Sequence, residues 1–354
     1  MDSLTVLSAV EQVAEHLRKE LLRGVLSGTM PGVNRLVEEL GVGHKTVKAA
    51  LRLLEEEGLL VNQGRGVQRK IVVPQDGFKT PSLRVAIFDY DPPELTEQWT
   101  LAMRQQLLDH GHSSYFAPRS LSELGMDLHR VSRLAKRTPA DAWVVCSASR
   151  EVLEWFAQQE TQTFALFGAR DGLPVAGTGA DKTPCSAEAT RRLIELGHRR
   201  ISYLCRRQLR WPQPDRSARC ILGELEAAGI ATGSCNLPDW EESRKGFGCV
   251  LDSLFGRTPP TALILDEAYL FNAAFHHLAN WGLRVPQDVS LVCTDPNPGF
   301  IWCDPSVAHI SWDYRSVVRR VVRWVDNVAR GKEDRRQTLT RAEFVDGGTV
   351  GPAP

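Results

Sequence analysis

At 354 residues, set against roughly 100 to 200 per domain, the chain should fold as two or three domains, and 42% hydrophobic content supports ordinary cores and argues against disorder. Lys and Arg number 43 and Asp and Glu also 43, which excludes a chain-wide polyelectrolyte surface for nucleic acid or membrane. Any contact with DNA has to be local.

From Val10, the apolar residues Val13, Ala14, Leu17 and Leu21 recur at helical spacing, and Gly24 ends that helix. Met30-Pro31-Gly32 breaks the chain, and Leu36, Val37 and Leu40 fit a short second helix. Gly41-Val42-Gly43 then turns tightly into a third helix, about 45–57. Its Val47, Ala50, Leu51 and Leu54 share one face, with His44, Lys45, Lys48 and Arg52 near the other. Residues 59–61 and 68–72 are expected to pair as a hairpin around 62–66, where the glycines make the turn and Arg65, Arg69 and Lys70 have no acidic sequence neighbour. Two helices about a glycine turn, the second basic at its start, suit a major groove, and a basic hairpin tip suits phosphate or a minor groove. The competing reading is a protein-interaction module with Glu55, Glu56 and Glu57 as a solvated helix end.

The order Val13-Ala14-x-x-Leu17, Met30-Pro31-Gly32, Leu36-Val37-Glu38-Glu39-Leu40-Gly41-Val42, Thr46-Val47-x-x-Ala50-Leu51-x-x-Leu54 and Gly64-x-Gly66 resembles the GntR family of winged helix-turn-helix regulators over about 60 residues. The resemblance implies that residues 1–73 bind double-stranded operator DNA. That family usually reads Ser-Arg-x-Thr on entering the recognition helix, where this chain has Gly43, His44 and Thr46. Asn34 replaces a common Arg, with Arg35 one place on. The implied DNA contacts are Arg35, His44, Lys45, Thr46, Lys48, Gly64 and Arg65.

Residues 74–81, Pro/Gly-bearing and polar, read as a linker, leaving 82–354 as the second domain. There, strand-like runs at 83–88, 142–146, 164–167, 201–205, 262–265 and 290–293 alternate with amphipathic stretches at 95–110, 187–196, 219–228 and 268–281. Such alternation predicts an α/β fold with parallel sheets covered by helices. Ligands of these folds bind beyond the strands' carboxyl ends, which singles out Asp89, Asp91, Asp266, Glu267 and Asp295. Taken singly, each could equally be a helix cap.

Ala140-Asp141-Ala142-Trp143-Val144-Val145, Leu196-Gly197-His198-Arg199-Arg200-Ile201, Pro260-Thr261-Ala262 and Gly282-Leu283-Arg284-Val285-Pro286-Gln287-Asp288-Val289-Ser290 resemble the effector-binding core of the LacI/GalR regulators, relatives of periplasmic sugar-binding proteins. The resemblance implies a periplasmic-binding-protein-like domain of two lobes joined by three crossovers, with the effector in the cleft and a homodimer side by side. It also implies site residues: Asp295, as the carboxylate that bonds a sugar hydroxyl, and Arg216 or Arg219, which flank Ser217 at the family's ligand-clamping Arg position. Trp312 and Tyr314, following a strand at 305–307, match positions that face the effector, and Trp240 is a candidate platform for a sugar ring.

Phosphate-loop, nucleophile-elbow and His-Glu-x-x-His motifs are missing, and Gly177-Thr178-Gly179 lacks the third glycine of a dinucleotide fingerprint, so neither catalysis nor a cofactor is expected. The eight cysteines are scattered without zinc spacing, and no apolar run nears the roughly 20 residues that span a bilayer. Free thiols and a cytoplasmic location are the expectation. The sequence thus reads as a regulator, a repressor, whose operator affinity answers to a carbohydrate effector. The alternatives are a constitutive DNA binder with a degenerate cleft and an enzyme using the cleft carboxylates.

Overall fold

The computed structural model describes residues 8–22, 26, 28–64, 67–72, 82–92 and 98–354. Two compact units divide the chain, 1–81 and 82–354.

In the first unit, α1 (Ala9–Leu22), α2 (Val33–Leu40) and α3 (His44–Glu56) precede a short antiparallel pair, β1 (Leu60–Val61) and β2 (Lys70–Ile71). The predicted apolar stripes meet in one core of Val13, Leu17, Leu21, Leu36, Val47 and Leu51. Gly41 closes α2 in the left-handed region at φ 64°, which a side chain would disfavour, and its N–H donates to the Val37 carbonyl. The hairpin strands are shorter than sequence suggests. Thr29 bridges to Lys70, and the Met30 N–H donates to the Arg69 carbonyl at 2.8 Å, so the segment before α2 joins the wing.

The second unit begins with β3 (Arg84–Phe88), α4 (Gln98–Asp109), β4 (Ser113–Phe116), α5 (Leu128–Arg137), β5 (Ala142–Cys146), α6 (Arg150–Ala157), β6 (Gln162–Leu166) and β7 (Ala176–Thr178). Their strands form a five-stranded parallel sheet in the order β4-β3-β5-β6-β7. There follow β8 (Ala180–Asp181), α7 (Thr183–Glu195), β9 (Ile201–Leu204), α8 (Arg207–Arg210), α9 (Arg216–Ala227) and α10 (Arg244–Arg257). The chain closes with β10 (Ala262–Leu265), α11 (Ala268–Asn280), β11 (Ser290–Cys293), β12 (Ala308–Trp312), α12 (Tyr314–Ala329) and β13 (Thr340–Val345). These build a six-stranded sheet, β8-β13-β12-β11-β10-β9, parallel except between β12 and β13. Every residue of β5, β9, β10 and β11 is buried, as expected for parallel strands covered on both faces.

The chain passes between the two lobes three times: at Gly179 between β7 and β8, at Asp313 between β12 and α12, and again before β13. The strand that sequence places at 305–307 is in fact Ala308–Trp312, because residues 304–307 form the approach to it. Helix α12, which follows a second-lobe strand, returns to the first lobe. Its Val317, Val321, Trp324 and Val325 pack with Trp99, Met103 and Leu107 of α4 over the five-stranded sheet. Trp324 is 1% exposed, with its ring 5.3 Å from that of Phe164. Replacing it by alanine removes one of the largest buried side chains, and Trp324→Ala should lose about 3–5 kcal/mol of stability in urea unfolding.

Candidate functional site

The first unit presents a basic turn where α3 begins. His44, Lys45 and Lys48 are exposed and Thr46 half-buried, while Val47 and Ala50 face the core. Gly43 caps α3 without a side-chain bond, so first-turn N–H groups at the positive end of the helix dipole are open to an anion. His44 Nε2 lies 3.1 Å from Asn34 Oδ1, tying α3 to α2. Arg35 pairs with Glu39 at 2.7 Å in an exposed i,i+4 contact, which competes only weakly with a phosphate. Lys45 and Lys48 make no ion pair among the described residues. At the wing, Gly64 adopts φ 110° with its N–H donating to Asn62 Oδ1 at 3.0 Å. Arg65 lies outside the described residues.

Arg69 differs from its sequence reading. It pairs with Glu55 across the wing, while Glu57 holds Arg18 and Glu56 holds Arg52. Two pairs of the glutamate run therefore tie the end of the recognition helix to α1 and to the wing, while Arg52–Glu56 is an exposed i,i+4 pair within α3. Fold adjacency brings together charges that sequence distance kept apart.

Between the lobes of the second unit lies a cavity of about 590 Å³ into which the carboxyl ends of β3, β5, β6, β9, β10 and β11 open. Asp266, Glu267 and Asp295 are buried there, with carboxylate oxygens within 4.8 Å of one another. Lys182, just after β8, pairs with Asp295 Oδ2, and the Trp312 indole N–H donates to Asp295 Oδ1 at 2.9 Å. Arg206, just after β9, lies 2.7 Å from Asp266, bonds Glu267 and comes within 3.7 Å of Asp91. Its guanidinium sits 5.3 Å above the Tyr90 ring.

Burial pushes Glu267 well above the usual carboxylate range, with Arg206 opposing, and burial raises Asp91 in the same way. Burial alone would lower the Lys182 ammonium, but Asp295, Asp266 and Glu267 outweigh it and hold it above the ordinary lysine value. Two cations thus serve four carboxylates. The arrangement offers a dense set of hydrogen-bond acceptors that suits a ligand rich in hydroxyl donors.

Of the residues singled out by sequence, Asp89, Asp266, Asp295, Trp312 and Arg216 line this cavity. Arg216 is exposed, 3.5 Å from Asp171, and Arg219 also reaches the lining. Two do not. Trp240 packs edge-on to Phe247, lies under the Arg210 guanidinium and donates to the Cys205 carbonyl, so its polar and apolar parts are all engaged within the lobe. Tyr314 opens α12 and packs on the first-lobe core, because the chain has already crossed at Asp313. Lys182, Arg206 and the exposed Trp211 were missed, although the strand-end rule that found Asp295 reaches Arg206 and Lys182 equally.

Residues 9–68 match the family model of bacterial regulatory proteins of the gntR family, and residues 190–350 match that of the periplasmic binding protein-like domain. No curated protein matches the chain significantly. Among solved structures, it is similar in fold to a LacI-type transcription regulator from Bifidobacterium animalis subsp. lactis, at 18% identity and TM-score 0.61, covering 75% of this chain and 98% of that one. A LacI family transcriptional regulator from Enterococcus faecium, solved with bound ribose, gives 14% identity and TM-score 0.59 over 77% and 100%. The complex of the transcriptional regulator CelR with cellobiose gives 18% and 0.62 over 90% and 100%. A winged helix-turn-helix followed by a two-lobed cleft domain defines the chain as a transcription regulator. More particularly, its residues 9–68 match the gntR-family model, and its second unit shares the fold of LacI-type transcription regulators.

Arg206 is the charge on which the cleft's acidic side depends. Arg206→Ala should cost about 3–5 kcal/mol by stranding buried carboxylates. Burial already holds Glu267 and Asp91 above the usual carboxylate range, so the loss should be largest at high pH and shrink as the pH falls and these two take up protons. Urea titrations at about pH 8 and about pH 5 measure that difference.

Proposed function

We propose that the protein represses transcription by binding a pseudo-palindromic operator as a homodimer, and that a small carbohydrate effector bound between the lobes of residues 82–354 sets its operator affinity. The observation that carries this reading is the cleft itself: Asp295, oriented by Trp312 and Lys182, presents carboxylate oxygen to a cavity of about 590 Å³, within the range of small-molecule sites. Fold neighbours solved with ribose and cellobiose support the carbohydrate class. On the DNA side, Lys45 and Lys48 are exposed at the start of α3 with His44 and Thr46, and Arg35 on α2 and Gly64 at the wing are the other described candidates; Arg65 is a candidate from sequence alone. Such a protein acts in the cytoplasm. The effector has to favour one lobe arrangement over the other to shift the balance between DNA-binding and released states.

A constitutive DNA binder is the second reading. It draws on the same pairing, since the cleft carboxylates already have internal partners in Lys182 and Arg206. A thermal-shift panel of monosaccharides, disaccharides and sugar acids, with hits retested for operator binding by fluorescence anisotropy, separates the two. A hit that changes DNA affinity supports the regulated form, and a flat panel with intact DNA binding supports the constitutive one.

Lys48→Ala should weaken operator binding and, where phosphate is its partner, reduce the salt slope by about one unit, read from anisotropy titrations across salt concentrations. Asp295→Ala should abolish the effector response while operator affinity in the absence of effector stays at the wild-type level.

A further inference from the structure

The basic groups on the acidic side of the cleft are matched: Lys182 by Asp295, Arg206 by Asp266 and Glu267. Arg170 is not. It lines the same cavity, is 6% exposed and makes no ion pair among the described residues. Its Nε is buried without a hydrogen-bond partner, and Nη2 reaches only the Thr338 carbonyl, at 3.4 Å. Burial works against its charge, Asp171 offsets part of that, and Arg216 adds repulsion.

The local fold is built around this side chain. A Cβ at Gly177 would lie 2.5 Å from Arg170 Cδ and 2.6 Å from the Ala165 carbonyl oxygen, and one at Gly179 would lie 3.3 Å from both terminal nitrogens. The two glycines therefore leave a channel along which the arginine stem and head are laid. Gln337 fixes the backbone beneath by donating to the Arg170 and Leu173 carbonyls at 3.0 and 2.9 Å. Nearby on the lining, Arg150 and Arg216 are spanned by the single residue Asp171, which gives its carbonyl to Arg150 and its carboxylate to Arg216. Gln208, also on the lining, buries both amide atoms without a partner.

A guanidinium desolvated without a counter-charge is costly, and a planar fork of donors is the usual partner of a carboxylate or phosphate. We propose that the effector carries a carboxylate or phosphate group and that Arg170 receives it, with Arg216 at its flank, while the hydroxyl-bearing end faces Asp266, Glu267 and Asp295. This rests on the effector-cleft reading above and narrows it from carbohydrate to polyhydroxylated acid or phosphate ester.

The full chain is tested in two ways. First, thermal melts with inorganic phosphate replacing chloride at constant ionic strength should raise the melting temperature of the wild type but not of Arg170→Gln; an unchanged wild type overturns the anion site. Without added anion, Arg170→Gln should melt no lower than wild type, since an uncompensated buried charge is removed, whereas a purely structural arginine would be missed. Arg170→Lys, which keeps the charge and loses the fork, serves if the Gln variant does not fold and should bind phosphate more weakly than wild type. Second, calorimetry with the matched set glucose, glucuronate and glucose 6-phosphate, repeated on the galactose series, distinguishes the two sources of the anion. An acid or phosphate ester should bind roughly tenfold to a hundredfold more tightly than its neutral parent, a preference lost in the Arg170 variants. Neutral sugars binding as well as both anions would overturn the proposal and leave the carbohydrate effector standing. A phosphate response with no sugar, acid or ester bound would do the reverse, keeping the anion site and sinking the carbohydrate reading.

Discussion

The cleft depends on the ion network around Arg206. One guanidinium gathers Asp266, Glu267 and Asp91 from the ends of two sheets and stacks on Tyr90, whose hydroxyl donates to Glu242. Asp91 and Tyr90 follow β3 of the first lobe, whereas Asp266, Glu267 and Glu242 belong to the second. The network therefore spans the lobes as well as neutralising one wall of the cavity. Buried charge of this kind contributes little net stability but makes any rearrangement that breaks it expensive. A ligand that opens or closes the cleft has to exchange partners with these groups.

A second chain of contacts runs across the floor. The Trp312 indole donates to Asp295, its ring meets Phe167 edge-on at 5.4 Å, and Phe167 meets Trp99 in the same way at 5.6 Å. Trp312 ends a second-lobe strand, and Phe167 and Trp99 belong to the first lobe. The carboxylate most suited to a ligand hydroxyl is thus mechanically joined to the apolar core of the opposite lobe. Contact at Asp295 has a direct physical route to the packing of α4 and α12.

Much of the architecture is legible in the sequence for a simple reason. Runs such as Ala142–Cys146 and Ala262–Leu265 are apolar at every position, and Ser290–Cys293 at every position after its first, because covered parallel strands have no wet face, and the structure has strands over those same residues. The family-like segments prove to be packing devices away from the cleft. Buried His198 lies 2.9 Å from Thr261 Oγ1 and from the Gly351 carbonyl, and Arg284 N–H donates to Asp288 to close its turn. They identify the fold well and say little about the ligand. Trp240 and Tyr314 misled because an aromatic at the right sequence register carries no mark of which side of a lobe it faces.

By itself, the sequence determined the alternating strands β3, β5, β6, β9, β10 and β11 with helices α4, α7, α9 and α11, the winged-helix and two-lobed classes, and the carboxylates at strand ends, whereas edge strands such as β4 and β13 and the returning helix α12 were not read from it. Only the tertiary structure decided which charges meet: Lys182 with Asp295 across 113 residues, Arg206 with Asp266 across 60, and Arg170 with no carboxylate partner among the described residues. Periodicity records that a face is buried, but not what lies against it. The match of charges in the cleft is set by which strand ends the six-stranded sheet gathers at one edge, and that adjacency has no signature in any single stretch of sequence.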